Sequence, residues 1–350
     1  MARSSYSPCP VCREDCIHSI FDTSESDNPL SSTQAANWVH VDRGKTFAMD
    51  YLIPRPSCMY YSMPITNSCF DSHTIRRFLS ARRFDADDAL KQFQETSLFR
   101  QEKQILRLYD VIDISDYEQA RQFYPHWSGR RDREGLPICM FDLAHLDKDT
   151  LARWEKTRKN TGWAYPRCES SNTSDMLQLA SVFHETLIRF ILPLCSIMMD
   201  RPNCSVSITS STYIVDASNL GIKQGWSVCN APSYFAVIWN SLKGWVDPNM
   251  AGKIVVLMNT EVLPTLREYI DNANIPTVFG GGYCFEHGML PDLDANIRQR
   301  LNWNISKRSL TPGPLKWIED SDGKITTLTV GSKDSSKRSI RIATLDCVKK

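Results

Sequence analysis

Residues 175–216, DMLQLASVFHETLIRFILPLCSIMMDRPNCSVSITSSTYIVD, decide how this chain is read. Met176, Leu177, Leu179, Ala180, Phe183, Leu187, Phe190 and Ile191 recur at three- and four-residue steps, which puts one apolar stripe on one helical face. The spacing predicts a long buried helix that Pro193 closes. Pro202 and Asn203 follow as turn residues. From Ser205 onward the chain alternates into Tyr213, Ile214, Val215 and Asp216, β-branched and aromatic enough to predict a core strand.

Outward from that stretch, composition sets bounds. At 350 residues the length allows one large or two modest domains, and 42% hydrophobic with 10% aromatic residues supports a packed core. A formal net charge of +1 gives no overall field for nucleic acid, so any charge-driven binding is local. No run reaches the ~18–20 uninterrupted apolar residues of a spanning helix, because Arg189 interrupts the best candidate. The N-terminal residues lack the apolar centre of a secretory signal, so a reducing, cytoplasmic setting is expected, with the 12 cysteines mostly free thiols.

Residues 1–66 are polar, poorly periodic and read as a largely disordered extension. Cys9, Cys12, Cys16 and His18 lie within it at the spacing of half a zinc site, but no second Cys/His pair follows at finger spacing, so no metal is expected. A helix opens at Asp71 or Ser72 and buries Ile75, Phe78 and Leu79, with Arg76, Arg77, Arg82 and Arg83 on its other side and beyond its end. A second helix over 86–98 packs Leu90, Phe93 and Leu98 against it. Residues 127–135 read as a charged hairpin turn, closed by Gly135 and followed by a strand over 136–143. Residues 148–174 read as a helix and a loop. Tyr234, Phe235, Val237, Ile238, Trp239 and Leu242 make an apolar stripe too wide for a solvated helix. A buried strand over 253–258, a helix over 263–270 and a turn-rich segment over 275–282 come next. Residues 317–330 alternate like a hairpin, 333–338 read as a polar loop, and 340–345 as a last short strand.

Several short motifs stand in a telling order: Arg77-Phe78-Leu79-Ser80-Ala81-Arg82-Arg83-Phe84-Asp85, Gly135-Leu136-Pro137-Ile138, His184-Glu185-Thr186, Leu192-Pro193-Leu194-Cys195-Ser196, Ile214-Val215-Asp216 with Leu220-Gly221-Ile222, Asn230-Ala231-Pro232, and Ile275-Pro276-Thr277-Val278-Phe279-Gly280-Gly281. Taken together they resemble the CRAL-TRIO domain of Sec14-like phospholipid transfer proteins of the fungal type. The resemblance implies an α/β fold: a lipid-binding lobe over 108–290 with a mixed or parallel sheet flanked by helices, preceded by a small all-α lobe over 67–107. A small β-rich extension over 291–350 follows. It also implies roles. Arg82 and Arg83 match the basic pair whose second member contributes to an inositol-phosphate site, and guanidinium suits phosphate. Ser211 and Tyr213 match positions where small hydroxyl residues meet choline-type headgroups. Phe235, Ile238, Trp239 and Leu242 match the helix that gates the lipid cavity.

The expected activity is therefore lipid binding and transfer between membranes without covalent chemistry, the bound lipid being ligand and no cofactor being required. Enclosure has a physical reason, since at ~0.8 kcal/mol per CH₂ a ~16-carbon chain costs on the order of 10 kcal/mol if left in water. Expected partners are phospholipid and, transiently, the surface of Golgi, endosomal or ER membranes; nucleic acid is not expected, and the chain is expected to be monomeric. Enzyme signatures are missing: there is no G-x-S-x-G elbow and no P-loop. Cys195 and Arg201 share the C-x5-R spacing of cysteine phosphatases, but Ile197, Met198 and Met199 are too bulky for a phosphate-encircling loop.

Three features depart from the family pattern. Tyr213 replaces a small hydroxyl residue, and Val278 stands where some members carry a lysine beside the headgroup. The third is length: only residues 217–229 separate Asp216 from Asn230, fewer than a crossover helix plus a parallel strand require. A central helix and most of a central strand are expected to be missing, leaving a gap between Tyr213 to Val215 and Ile254 to Leu257. The competing readings are a non-transferring interaction module with a collapsed cavity and a non-functional truncated isoform.

Overall fold

The computed structural model describes residues 72–146, 175–216, 257, 259–320 and 324–345. The expectations for 1–66, 148–174 and 217–256, including the zinc-like cluster, the gating stripe and the central gap, lie outside the described residues. Two compact units are present, one over residues 74–97 and one from Leu98 onward.

The smaller unit is built from helix α1 (Ser72–Ala81) and most of helix α2 (Ala86–Glu102). Phe78 and Phe93 are buried and meet edge to face, with ring centroids 5.3 Å apart, while Ile75 and Leu79 are half-buried. Leu98 does not join Leu90 and Phe93 on the buried face; it is 66% exposed. At 100° per residue it lies roughly 140° round the helix from Phe93, so the three leucine and phenylalanine positions never shared one stripe.

In the larger unit, helices α3 (Ile105–Val111) and α4 (Ile114–Ala120) precede strands β1 (His126–Arg131) and β2 (Pro137–Asp142). The core helix then runs unbroken from Asp175 to Ser196, as α5 (Asp175–Thr186), a π-helical turn (Leu187–Ile191) and α6 (Leu192–Ser196). Pro193 therefore does not end it. Proline lacks the N–H that an α-helix would aim four residues back, and the preceding π turn, in which Leu192 N–H reaches the Leu187 carbonyl, widens the helix ahead of it. By length and composition Gln178–Ser196 could cross a membrane, but 67% of it is buried inside the protein.

Strand β3 (Thr212–Asp216) is shorter than the alternation from Ser205 implied, because 202–205 form turns held by Arg201. The first sheet has the order β1-β2-β3, with β1 antiparallel to β2 and β2 parallel to β3. This is the mixed sheet flanked by helices that the motif order implied.

Residues 127–131 belong to β1 rather than to the turn. Their charge misled the reading, since Arg130 and Arg131 are paired with Asp292, Asp200 and Asp294, carboxylates 69–163 residues away. The turn is confined to 132–136: Asp132 Oδ1 accepts the N–H groups of Glu134 and Leu136 at 3.0 and 2.8 Å, and Gly135 sits at φ +86°, where a side chain would be strained.

Helix α7 (Asn259–Tyr269) begins four residues earlier than expected and packs Val262 and Leu266 with Ile138, Met140 and Ile214 on one face of the first sheet. From Tyr283 the chain is bonded along β1: Tyr283 Oη donates to the Ser128 carbonyl at 2.7 Å, and the N–H groups of Asp292 and Asp294 donate to Ser128 and Gly129 carbonyls at 2.9 and 3.1 Å. Gly129 (φ +93°) leaves no space for a Cβ against the Asp292 backbone.

Helix α8 (Ala295–Arg300) leads to a second, antiparallel sheet of order β4-β7-β6-β5, formed by β4 (Asn302–Trp303), β5 (Leu315–Glu319), β6 (Ile325–Lys333) and β7 (Ser336–Leu345). The polar residues 333–338 are not a loop but the tip of the β6-β7 hairpin, turned by Asp334 (φ 51°) and Ser335 (φ 63°). Positive φ at both central positions is the I′ geometry, reached here without the Asn-Gly pair that announces it. This sheet shares a core with the first: Trp317, Ile342 and Leu345 cluster with Trp127, Cys139, Phe190 and Leu194, and Trp317 Nε1–H donates to the Phe190 carbonyl at 3.1 Å.

Candidate functional site

Two groups of the expected residues are described, one in each unit. In the smaller unit, Arg82 and Arg83 follow the end of α1. Phe84 N–H returns to the Leu79 carbonyl at 2.7 Å, which forces Arg83 (φ 55°) and Phe84 (φ 65°) into the left-handed region. Asp85 then starts α2 by accepting Asp88 N–H at 2.9 Å. A non-glycine residue in that region costs roughly 1 kcal/mol or more, and two in succession mark a place where function and local strain coincide often. The two arginines differ. Arg82 is half-buried and its Nε–H donates to Gln92 Oε1 at 3.0 Å, tying the α1 end to α2, whereas Arg83 is exposed.

In the larger unit, Ser211 and Tyr213 sit at and just before the start of β3, the end strand of the described sheet. Tyr213 pairs in register with Cys139 of β2, and parallel partners project to the same face. The Ser211 side chain lies beside both of them. Burial pushes the Cys139 thiol up to about 12 and raises the Tyr213 phenol, each partly offset by Ser211. Cys139 is therefore a neutral thiol, and Tyr213, 49% exposed, offers a neutral phenolic O–H. Cys139 was not expected here: it lies in an apolar run, and only strand register brings it to Ser211. On the other side of β3, Thr212 Oγ1–H donates to Asp132 Oδ2 at 2.6 Å, so the turn after β1 sets the height of β3. Phe235, Ile238, Trp239 and Leu242 lie outside the described residues. Val278 is the middle residue of the 3-10 turn Thr277–Phe279 and is 68% exposed.

The phosphatase-like pair has the opposite of what that chemistry needs. Cys195 is fully buried and burial pushes its thiol well up, whereas a nucleophilic thiolate requires a depressed value and access. Arg201 is also buried, and its guanidinium donates to the carbonyls of Ser196, Met198, Asn203 and Cys204 at 2.6–3.1 Å, closing the end of the core helix. Among the described residues no group of His, Cys, Asp or Glu is arranged to hold a metal ion.

The geometry thus offers an exposed arginine on a strained turn in one unit and, in the other, a neutral hydroxyl pair on the end strand of the described sheet. Residues 224–281 match the CRAL/TRIO domain family. The chain is 26% identical over 275 residues, 71% of its length, to the phosphatidylinositol/phosphatidylcholine transfer protein SFH9 of Arabidopsis thaliana. It is 28% identical over 62% of its length to SFH11 of the same plant, and 25% identical over 60% to the SEC14 cytosolic factor of Eremothecium gossypii. These matches span 41%, 59% and 69% of the respective relatives. Motif order, sheet topology and these matches agree, and the chain is similar to Sec14-like CRAL-TRIO proteins.

Proposed function

We propose that this protein binds a phospholipid and transfers it between membranes, without covalent chemistry. The observation that carries this reading is the similarity, over 60–71% of the chain, to relatives named as phosphatidylinositol/phosphatidylcholine transfer proteins and as a cytosolic factor. Arg83 is the proposed contact for a phosphorylated headgroup, because it is exposed and held on a strained turn. Phosphatidylinositol or a similar lipid fits that contact. Ser211 and Tyr213 are proposed as headgroup-facing hydroxyls, the larger Tyr213 leaving less room than a small residue for a trimethylammonium group. The protein would work as a cytoplasmic monomer, meeting Golgi, endosomal or ER membranes only while exchanging.

The test is direct. Purified protein is incubated with mixed liposomes, reisolated, and extracted for mass spectrometry. A co-purifying phospholipid at near-stoichiometric yield is the expected result; its absence across several lipid mixtures would overturn the proposal.

The short connection over 217–229 favours a second reading, in which this chain lacks the central helix and strand and serves as a non-transferring interaction module or a non-functional isoform. Sequencing the native transcript across the codons for Trp226 and Ser227 separates the two. A longer main transcript supports the second reading; this junction in the main transcript, with a monomeric and active product, supports the first.

A further inference from the structure

Three of the chain's seven histidines meet at one place in the larger unit. His126 opens β1, His145 lies in the 3-10 turn Leu143–Leu146 that follows β2, and His287 lies in the segment that runs along β1. The rings of His145 and His287 stack at 3.9 Å with 6° between their planes, and His126 stands edge-on to His287 at 5.3 Å. Phe285 stacks on His126 at 5.6 Å.

The hydrogen-bond partners fix the protonation that this arrangement accepts. His126 Nδ1 lies 3.2 Å from the Tyr124 carbonyl, which can only accept, so that nitrogen carries the proton. His126 Nε2 lies 3.2 Å from the Gly288 N–H, which can only donate, so that nitrogen must be bare. A second proton on His126 would set donor against donor and break the Gly288 contact. His287 Nε2–H donates to the Gln122 carbonyl at 2.9 Å, while its Nδ1 is buried with no partner among the described residues. A second proton there would be a buried N–H without an acceptor.

The surrounding charges mostly point the same way. Arg121, paired with Glu118, adds positive potential at His126, and each ring would repel a second imidazolium. Asp142, with Oδ2 3.6 Å from His145 Nε2, is the facing carboxylate and opposes the others at His287; Glu286 and Cys284 flank the cluster on exposed positions. Burial, the largest cause, lowers His126 to about 3 and lowers His287 as well.

We propose that His126 and His287, with the ring of His145 stacked on His287, form an acid-released latch that holds residues 285–288 against the start of β1 and the end of β2 while His126 and His287 are neutral, and lets that segment go when they are protonated. Farther along β1, the pairs of Arg130 with Asp292 and Arg131 with Asp294 keep the chain attached, so release is local. The sign follows from linkage. The closed segment binds fewer protons than the open one, so closure is complete above the ordinary imidazole value of 6.5 and weakens as pH falls below it.

Hydrogen exchange with mass spectrometry on the full chain tests this, from neutral pH to about pH 5, with labelling times scaled to hold intrinsic exchange constant. Exchange over 284–290 is expected to rise about tenfold, equivalent to one pH unit of coupling, while β1 and β2 change less than about twofold. His287→Gln keeps a donor for the Gln122 carbonyl but cannot charge, and should remove most of the rise. His145→Phe, at a half-exposed position, keeps the stacked ring without its charge and should reduce it. Exchange that ignores pH, parallel loss of β1 and β2, or an undiminished rise in both variants would overturn the latch.

Discussion

The guanidinium of Arg131 meets the carboxylate of Asp200 through two parallel bonds of 2.8 Å, and turns its other edge to Asp294 at 2.7 and 3.0 Å. One buried side chain thereby joins β1, the turn after the core helix, and the N-terminus of α8, where Asp294 Oδ1 also accepts Ile297 N–H at 2.9 Å. The Arg131 bonds hold the Asp200 carboxyl down at about 2. A depressed folded value means that the stabilisation is complete above the ordinary 3.8 and is lost as pH falls toward 2. Thermal denaturation should thus give a melting temperature that drops between pH 4 and 2.5, and Asp200→Asn should flatten that drop. Arg131→Ala should cost about 2 kcal/mol at neutral pH, because Asp200 and the half-buried Asp294 both lose their cation. Equal acid sensitivity in Asp200→Asn and the parent would exclude this role.

Thr186 is the hub of a buried knot. Its hydroxyl bonds the phenols of Tyr109, at 2.8 Å, and Tyr117, and Tyr109 also donates to the Leu315 carbonyl. Both phenols are pushed above their ordinary value by burial. Thr186→Val keeps the shape and removes the shared hydroxyl, so about 2 kcal/mol should be lost, with urea denaturation as the measure. A change under about 0.5 kcal/mol would mean that the phenols find other partners.

Arg201 closes the core helix with four carbonyl bonds, which only a planar fork can make at once. Arg201→Lys should therefore destabilise by about 2 kcal/mol despite retaining charge, since buried carbonyls lose their donors. Cys195→Ala should remain folded and bind the same lipids. A lysine variant as stable as the parent would show the fork to be dispensable.

Arg83 and Arg82 should separate by assay. Arg83→Ala touches no hydrogen bond in its turn, so its melting temperature should match the parent, while binding to phosphoinositide vesicles falls about tenfold, the worth of one charge-assisted contact. Arg82→Ala loses the Gln92 bond and should lower stability first. Equal loss for every lipid in Arg83→Ala would point to a structural role.

Much of the fold was legible because its signals are local. The apolar stripe of 175–191, the β-branched run ending at Asp216 and the glycine at 135 each act within a few residues, and each marks an element of the predicted type, though the core helix runs past Pro193, β3 starts only at Thr212 and the turn is confined to 132–136. The ordered motifs carried the resemblance to the CRAL-TRIO family for the same reason. Local signals misled where a distant partner changed their meaning. Arg130 and Arg131 looked like turn charges because Asp200, Asp292 and Asp294 could not be seen beside them. Pro193 looked like a stop because the π turn that accommodates it depends on a helix buried on most sides.

What the sequence alone determined is thus which segments exist and which face of each is apolar, properties set by residue type and period. Tertiary structure alone decided which polar groups share a site. Strand register put Cys139 beside Ser211 and Tyr213, and the path of the chain along β1 put His287 against His126 and His145. Such contacts carry no periodicity, because the residues that make them are brought together by hydrogen bonds between backbones far apart in the chain.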